Sequence, residues 1–368
     1  MKNKNENVQF RILYFIGIIM IVATHSLNTR LFPFTNFFPL HTFQVALFVF
    51  CSGYFFVKNI DKNIWEVIKK KTKKLIIPLY LWNLFYGIII LILHHFGFEF
   101  GESFNLNSLF LLPIYNGHQF MLNLASWFIW PLFITEIIHI FIIKLFKKKD
   151  WLFLLYFFIS LLLGFLGAQL AIKGYNKDWF LLLTRTLYYF PFFSFGMLYH
   201  KILEKKDTSN HLSYFGVLFT VTLITIYMFK SSSTIVVSWC TNFEYFYRPY
   251  LLGFLGIAFW LRISKILVPS LKNSKIVSII SKNTYSIMMH HIMGFFVLNS
   301  MIFLLSSKFT IFSEFNSRNY ISNASYIYSP IGFGQFNIIY LVFGILFSIF
   351  ITIISKKIVS FIKSKINI

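Results

Sequence analysis

Apolar residues along this chain fall into ten long stretches separated by charged or turn-forming residues: Phe10–Leu27, Thr42–Val57, Leu75–Phe96, Ser126–Phe146, Trp151–Ile172, Leu181–His200, Leu212–Phe229, Pro249–Ile263, Thr284–Leu305 and Phe336–Ile358. Most match the roughly 20 residues that cross a hydrocarbon core of about 30 Å as an α-helix. The second and eighth are short for that distance, so a re-entrant or embedded segment is an alternative there. The pattern predicts an all-α, polytopic bundle of about ten spans, and no linker or tandem repeat divides the 368 residues, which read as one membrane domain, 1–368.

Composition supports lipid as the solvent, because 57% of the residues are hydrophobic and 12% are charged, too few to cover a water-soluble globule. The formal net charge of +22 would suggest nucleic acid in a soluble protein. Here the cations cluster between apolar runs, which is a topological signal and sets nucleic acid aside. Of the 34 Lys and Arg residues, 26 fall on one set of alternate connections and eight on the other. Positive charge collects on the cytoplasmic side, so both termini are expected there. The polar head Met1–Gln9 leads into an apolar run with no small-residue cleavage site, which reads as a retained span. Two cysteines, Cys51 in an apolar run and Cys240 in a polar connection, offer neither a disulfide framework nor a CxxC pair.

Ionisable residues inside spans are costly and therefore candidates for function: His25, Glu136, His139, Arg185, His290 and His291. His25 follows Arg11 by 14 residues, a rise of about 21 Å, which places it in the outer half of the first span, where a neutral imidazole can act as a general base toward a hydroxyl. An interfacial histidine bonded to Ser26 or Asn28 is the plainer alternative. His290 and His291 are adjacent, so they point about 100° apart and both cannot face one substrate. Neither their spacing nor a nearby third ligand favours a metal. Glu136 and His139, one turn apart, either bond each other or line a polar cavity. Arg185 either snorkels to the interface or meets an anionic ligand. The run Lys69–Lys74 carries five positive charges in six residues. Topology accounts for it, as does recognition of the phosphates of a cytosolic donor such as coenzyme A. Walker A, GxGxxG, HExxH and GxSxG motifs are absent from the sequence.

Five segments, in order, resemble the acyltransferase-3 family of bacterial membrane acyltransferases. RILYFIGIIMIVATHS resembles its opening helix, which ends in a histidine, here His25. ALFVFCSGYFF resembles its Phe-rich strip closing on Ser-Gly-Tyr, here Ser52, Gly53 and Tyr54. KKKTKKLIIPLYLW resembles a basic loop before a proline that opens the third span. SWFIWPLFITEI resembles a Trp-Phe segment, here Trp127 and Phe128, and KNTYSIMMHHIM resembles a late segment ending in histidine, here His291. Three positions depart from the pattern. Tyr14 stands where the family's first helix carries an arginine, with Arg11 three residues earlier, and Lys71 and Lys74 stand where the basic loop has arginines.

The resemblance implies a multi-pass O-acyltransferase of the bacterial cytoplasmic membrane, with acetyl-CoA as donor, no metal, and a carbohydrate outside or on a lipid as acceptor. On that reading His25, Ser52 and His291 are the catalytic candidates. His25 would deprotonate the sugar hydroxyl or accept the acyl group transiently, while Ser52, His291 or a backbone amide polarises the thioester carbonyl. Arg11, Lys71 and Lys74 are the donor-binding candidates, and Trp127, Glu136 and Arg185 the acceptor-binding ones. A polysaccharide or small-acid exporter and a non-catalytic scaffold of a glycan-assembly complex remain alternatives.

Overall fold

The computed structural model describes residues 7–26, 31–145, 149–229, 234–306, 308–328, 330 and 332–366. Several expectations lie outside these residues: the span ends Leu27 and Phe146, the partner candidate Asn28, and the counted cations Lys2, Lys4, Arg30, Lys147, Lys148 and Lys230.

Each apolar stretch forms a helix. In chain order these are α1 (Val8–His25), α2 (Leu40–Asn59), α3 (Ile64–His95), α4 (Leu124–Leu145), α5 (Asp150–Ile172), α6 (Asp178–Leu198), α7 (His211–Phe229), α8 (Arg248–Ile266), α9 (Thr284–Ser306) and α10 (Asn337–Ile366). Among the described residues no β-strand occurs, and nine of these helices are long and apolar enough to cross a membrane. The exception is α6, whose Asp178, Arg185 and several Thr and Tyr residues lower its hydropathy; it is largely buried and packs against α2 and α5. The chain is an all-α polytopic bundle. Neither short span is short: α2 is 20 residues long and α8 is 19.

Local sequence sets the helix ends. Asn7 caps α1 by accepting from the Phe10 N–H, and Pro39 precedes α2. The segment 58–74, expected as a loop, is mostly helix, because Asn63 caps a turn that runs from Ile64 without a break into α3. The run passes through a π turn, Thr72–Ile76, closed by the Ile77 N–H on the Thr72 carbonyl. Lys71 and Lys74 therefore stand on a wound rod and not on a loose strap.

Long-range bonds fix the direction of the helices. Thr24 near the end of α1 meets Gln44 near the start of α2, and Asn7 meets Tyr54 at the opposite end. At the far end of the chain, Tyr340 bonds Asn299 while Thr352 bonds Ser286. Both described termini therefore lie at one end of the bundle, together with the lysine-rich segments. There Arg262 pairs with Asp207 over the Tyr214 ring, and Lys144 donates to the carbonyls of Ile60 and Lys62.

Two apolar clusters fill the interior. One gathers α2, α5, α6 and α8, and the other gathers α3, α9 and α10. Helix α1 is the seam, giving Phe10 and Leu13 to the first and Ile18 and Val22 to the second.

The Ser-Gly-Tyr segment has a different task at each position. Tyr54 donates to the Glu204 carboxylate at 2.8 Å and accepts from Asn7, tying three elements together. Gly53 lets α6 come close, since a Cβ there would sit 2.0 Å from the Phe193 carbonyl oxygen. Gly196 does the same from the other side, 2.1 Å from the Phe50 oxygen. Backbone contact of this kind is how helices associate in lipid, where apolar burial gives little drive. Replacing Gly53 with Val should therefore push α2 and α6 apart and destabilise the bundle by about 1–3 kcal/mol or more. Thermal unfolding of the purified variant in detergent should show a lowered midpoint; a midpoint equal to that of the unaltered protein would contradict this packing.

Candidate active site

A cavity of about 360 Å³ runs beside the seam helix α1. At the lysine-rich end Tyr14, Ser52, Lys74 and Tyr285 line it; at the other end His25, His41, Gln44 and the backbone strip 234–238 do. Between Tyr14 and His25 lie eleven residues of α1, a rise of about 16 Å. The walls between are mainly apolar, among them Ile18, Ile21, Phe48, Leu132 and Met288.

At the far end α1 and α9 bring His25 and His291 together. His25 Nδ1 lies 2.7 Å from His291 Nε2, with the rings stacked at 4.9 Å. His291 Nδ1 lies 2.7 Å from the Ile287 carbonyl oxygen. A carbonyl can only accept, so the proton of a neutral His291 sits on Nδ1 and its Nε2 offers a lone pair. His25 Nδ1 must then donate to that lone pair, which leaves His25 Nε2 as an unprotonated nitrogen at the cavity wall. The dyad turns one histidine into an oriented base.

Support for the pair comes from further along the chain. Buried Asn299 donates to the carbonyls of Tyr326, Ile327 and Tyr328, which holds the Tyr328 ring 5.9 Å from His25. His290 faces elsewhere, 2.7 Å from the Tyr86 hydroxyl and against Trp82. Ser26, offered as a partner for His25, instead donates to the Ala23 carbonyl.

Arg185 is fully buried and does not snorkel. Its guanidinium donates to the carbonyls of Tyr115, Asn116 and Ser238, contacts His118 at 3.2 Å, and lies over the Trp127 ring. This buried cation fastens the 115–118 turn to the 234–238 strip that closes the cavity. His118 in turn stacks on Trp239 at 4.2 Å. Burial, with the Arg185 guanidinium beside it, pushes the His118 imidazole down to about 3, so it stays neutral.

The remaining candidates separate by position. Lys74 and Trp127 line the cavity, at opposite ends. Lys71 forms an ion pair with Glu136, over the Phe56 ring. Glu136 therefore stands with the lysines and away from Trp127. His139 bonds the Thr135 carbonyl and accepts from Tyr156, leaving Glu136 to Lys71. Arg11 reaches the Lys272 carbonyl and is not among the cavity residues; Tyr14 is, packed on Phe48 and Phe55. Ser52 also lines the cavity, but it lies eight residues beyond Gln44 on α2, about 12 Å from the histidine end. The dyad joins His25 and His291 and leaves Ser52 at the lysine-rich end.

His41, Gln44, His118 and Tyr328 are the site residues that sequence reasoning missed. His41 carried a faint signal, a histidine two residues after the proline that precedes a span. Tyr328 carried none, since only the Asn299 clamp brings it near His25.

The sequence matches the family model described as an acyltransferase domain, acyltransferase-3, over residues 10–357. The chain belongs to the acyltransferase-3 family and is a multi-pass membrane acyltransferase. No curated protein and no solved structure matches it.

The buried His118 makes stability fall in acid. In the unfolded chain a histidine takes up its proton near pH 6.5, whereas folded His118 stays neutral down to about 3. The unfolded state therefore binds more protons in that window, and stability drops as pH falls from about 6.5 toward 3. Melting midpoints measured between pH 7.5 and 4.5 should fall less steeply for His118→Gln than for the unaltered protein. Parallel pH profiles would refute the assignment.

Proposed function

We propose that the protein is an O-acyltransferase that moves an acetyl group from acetyl-CoA to a hydroxyl of a cell-surface or lipid-linked carbohydrate. It would lie in the bacterial cytoplasmic membrane with its lysine-rich end in the cytosol, as the charge asymmetry of the connections favours. One observation carries this reading: a single cavity has Lys74 at one end and His25 at the other. The phosphates of the donor stay near the lysines, and the neutral pantetheine arm follows the apolar wall past Tyr14 and Ser52 toward the dyad.

At the dyad, His25 Nε2 takes the proton of the acceptor hydroxyl as its oxygen attacks the thioester carbonyl. The carbon–sulfur bond breaks, and the leaving thiolate collects that proton from the His25 imidazolium, giving ester and coenzyme A thiol. His291 Nε2 keeps accepting from His25 Nδ1 throughout, so it steadies the imidazolium while it exists. The Trp127 ring and the 234–238 strip leave an aromatic and backbone-rich mouth for a sugar. The acceptor enters from one end and the donor from the other, and the two meet at His25.

The test is the ester-linked acetyl content of surface glycans from cells making the unaltered protein, His25→Ala, or none, with membrane levels matched by immunoblot. Acetyl present with the unaltered protein alone supports the reading. Equal acetyl in all three, with glycan lost or mislocated when the protein is absent, would sink it in favour of export or scaffolding. In purified protein, His291→Ala should lower kcat about a hundredfold with donor KM little changed. A rise in KM at constant kcat would instead make His291 a donor-binding group.

A further inference from the structure

The ion pair of Lys71 and Glu136 has no part in the transfer step above. Its two members are unequally buried: the Glu136 side chain is 2% exposed and that of Lys71 24%. Oxygen Oε1 of Glu136 meets Lys71 Nζ, while Oε2 has no hydrogen-bond partner among the described residues. Tyr14 and Lys74, both lining the lysine-rich end of the cavity, lie within electrostatic reach of this carboxylate. A buried negative charge thus stands beside the place where, on the donor reading, several phosphates arrive.

Among the described residues lining the cavity, Lys74 is the one lysine or arginine. Lys71, three residues earlier on the same wound segment, would supply a second cation, but Glu136 cancels it. We propose that Glu136 is a resident counter-anion that neutralises Lys71 and so weakens the hold of the lysine-rich end on the donor's phosphates. This inference rests on the donor reading and adds to it a residue that sets donor affinity.

Weakening has a physical purpose. Acyl-CoA and the coenzyme A product carry the same phosphates, so attraction to them holds substrate and product alike. Uniform attraction of that kind does not lower the barrier to transfer, and it delays release of the product. A fixed carboxylate at the mouth trims it. The uneven burial also says which variant survives: with Glu136 neutral, Lys71 still reaches water, whereas loss of Lys71 alone strands a buried carboxylate.

The experiment measures the binding of coenzyme A, the thiol with no acyl group, to the full-length protein in lipid nanodiscs by calorimetry at two salt concentrations. Three proteins are compared: the unaltered chain, Glu136→Gln, and Glu136→Gln with Lys71→Met. A unit charge about 10 Å away at an effective dielectric near 20 corresponds to roughly tenfold in affinity. Glu136→Gln should therefore bind about tenfold more tightly, with a steeper salt dependence. The double variant should return to the affinity of the unaltered chain. Unchanged or weaker binding by Glu136→Gln, in a sample whose melting midpoint matches the unaltered protein, overturns the inference. Tight binding that persists in the double variant also overturns it, since the cation released would not be Lys71. Absence of binding by the unaltered, folded protein overturns the donor reading itself.

Discussion

Inside this bundle a polar group has no water to turn to, and that constraint shapes nearly everything the chain does with its few ionisable residues. Arg185 solves it with three backbone carbonyls and an aromatic face, Glu136 with a lysine from the neighbouring helix, and His139 with a carbonyl and a tyrosine. The dyad is the same solution left one bond short. His291 satisfies its two nitrogens on Ile287 and His25, whereas His25 satisfies one nitrogen on His291 and turns the other to the cavity. On the proposed function, burial and reactivity thus share one origin at His25, whose free nitrogen is the one offered as the base.

Much of the architecture was legible because lipid makes sequence pattern decisive. A run of apolar residues about 20 long has few alternatives to a helix, and the ten stretches recur as ten helices with shifted ends. The charges of segment 58–74 interrupt the apolar pattern without interrupting the helix, and the lysines project from a rod that continues past them. The site was legible residue by residue but not in its pairings. His25 and His291 are 266 positions apart, and no periodicity links them. Glu136 reads in sequence as a partner of His139 or a lining of a polar cavity, but its partner in space comes from α3. Ser52 belongs to the motif that carries the resemblance, and what the fold uses most visibly there is the missing Cβ of Gly53 and the hydroxyl of Tyr54.

The seam position of α1 links fold to function. A helix shared by two apolar clusters has neighbours on both sides that need not close perfectly over it, and the cavity occupies that incomplete join. One side of the join is drawn tight by the approach of α2 to α6, and the other is held by the Asn299 clamp and the packing of α9 on α10.

The π turn at Thr72–Ile76 gives the third helix one residue beyond what its α-helical winding calls for. Such an insertion is free to drift only where the neighbouring turns can rotate, and here they cannot: Lys71 before it is fastened to α4, and Tyr285 from α9 donates to the Leu75 carbonyl within it. A deletion at this point would restore ordinary winding and remove the widened turn whose Leu75 carbonyl Tyr285 reaches. The widened turn is thus pinned from both sides by partners on α4 and α9, so the extra residue stays at this one point along α3.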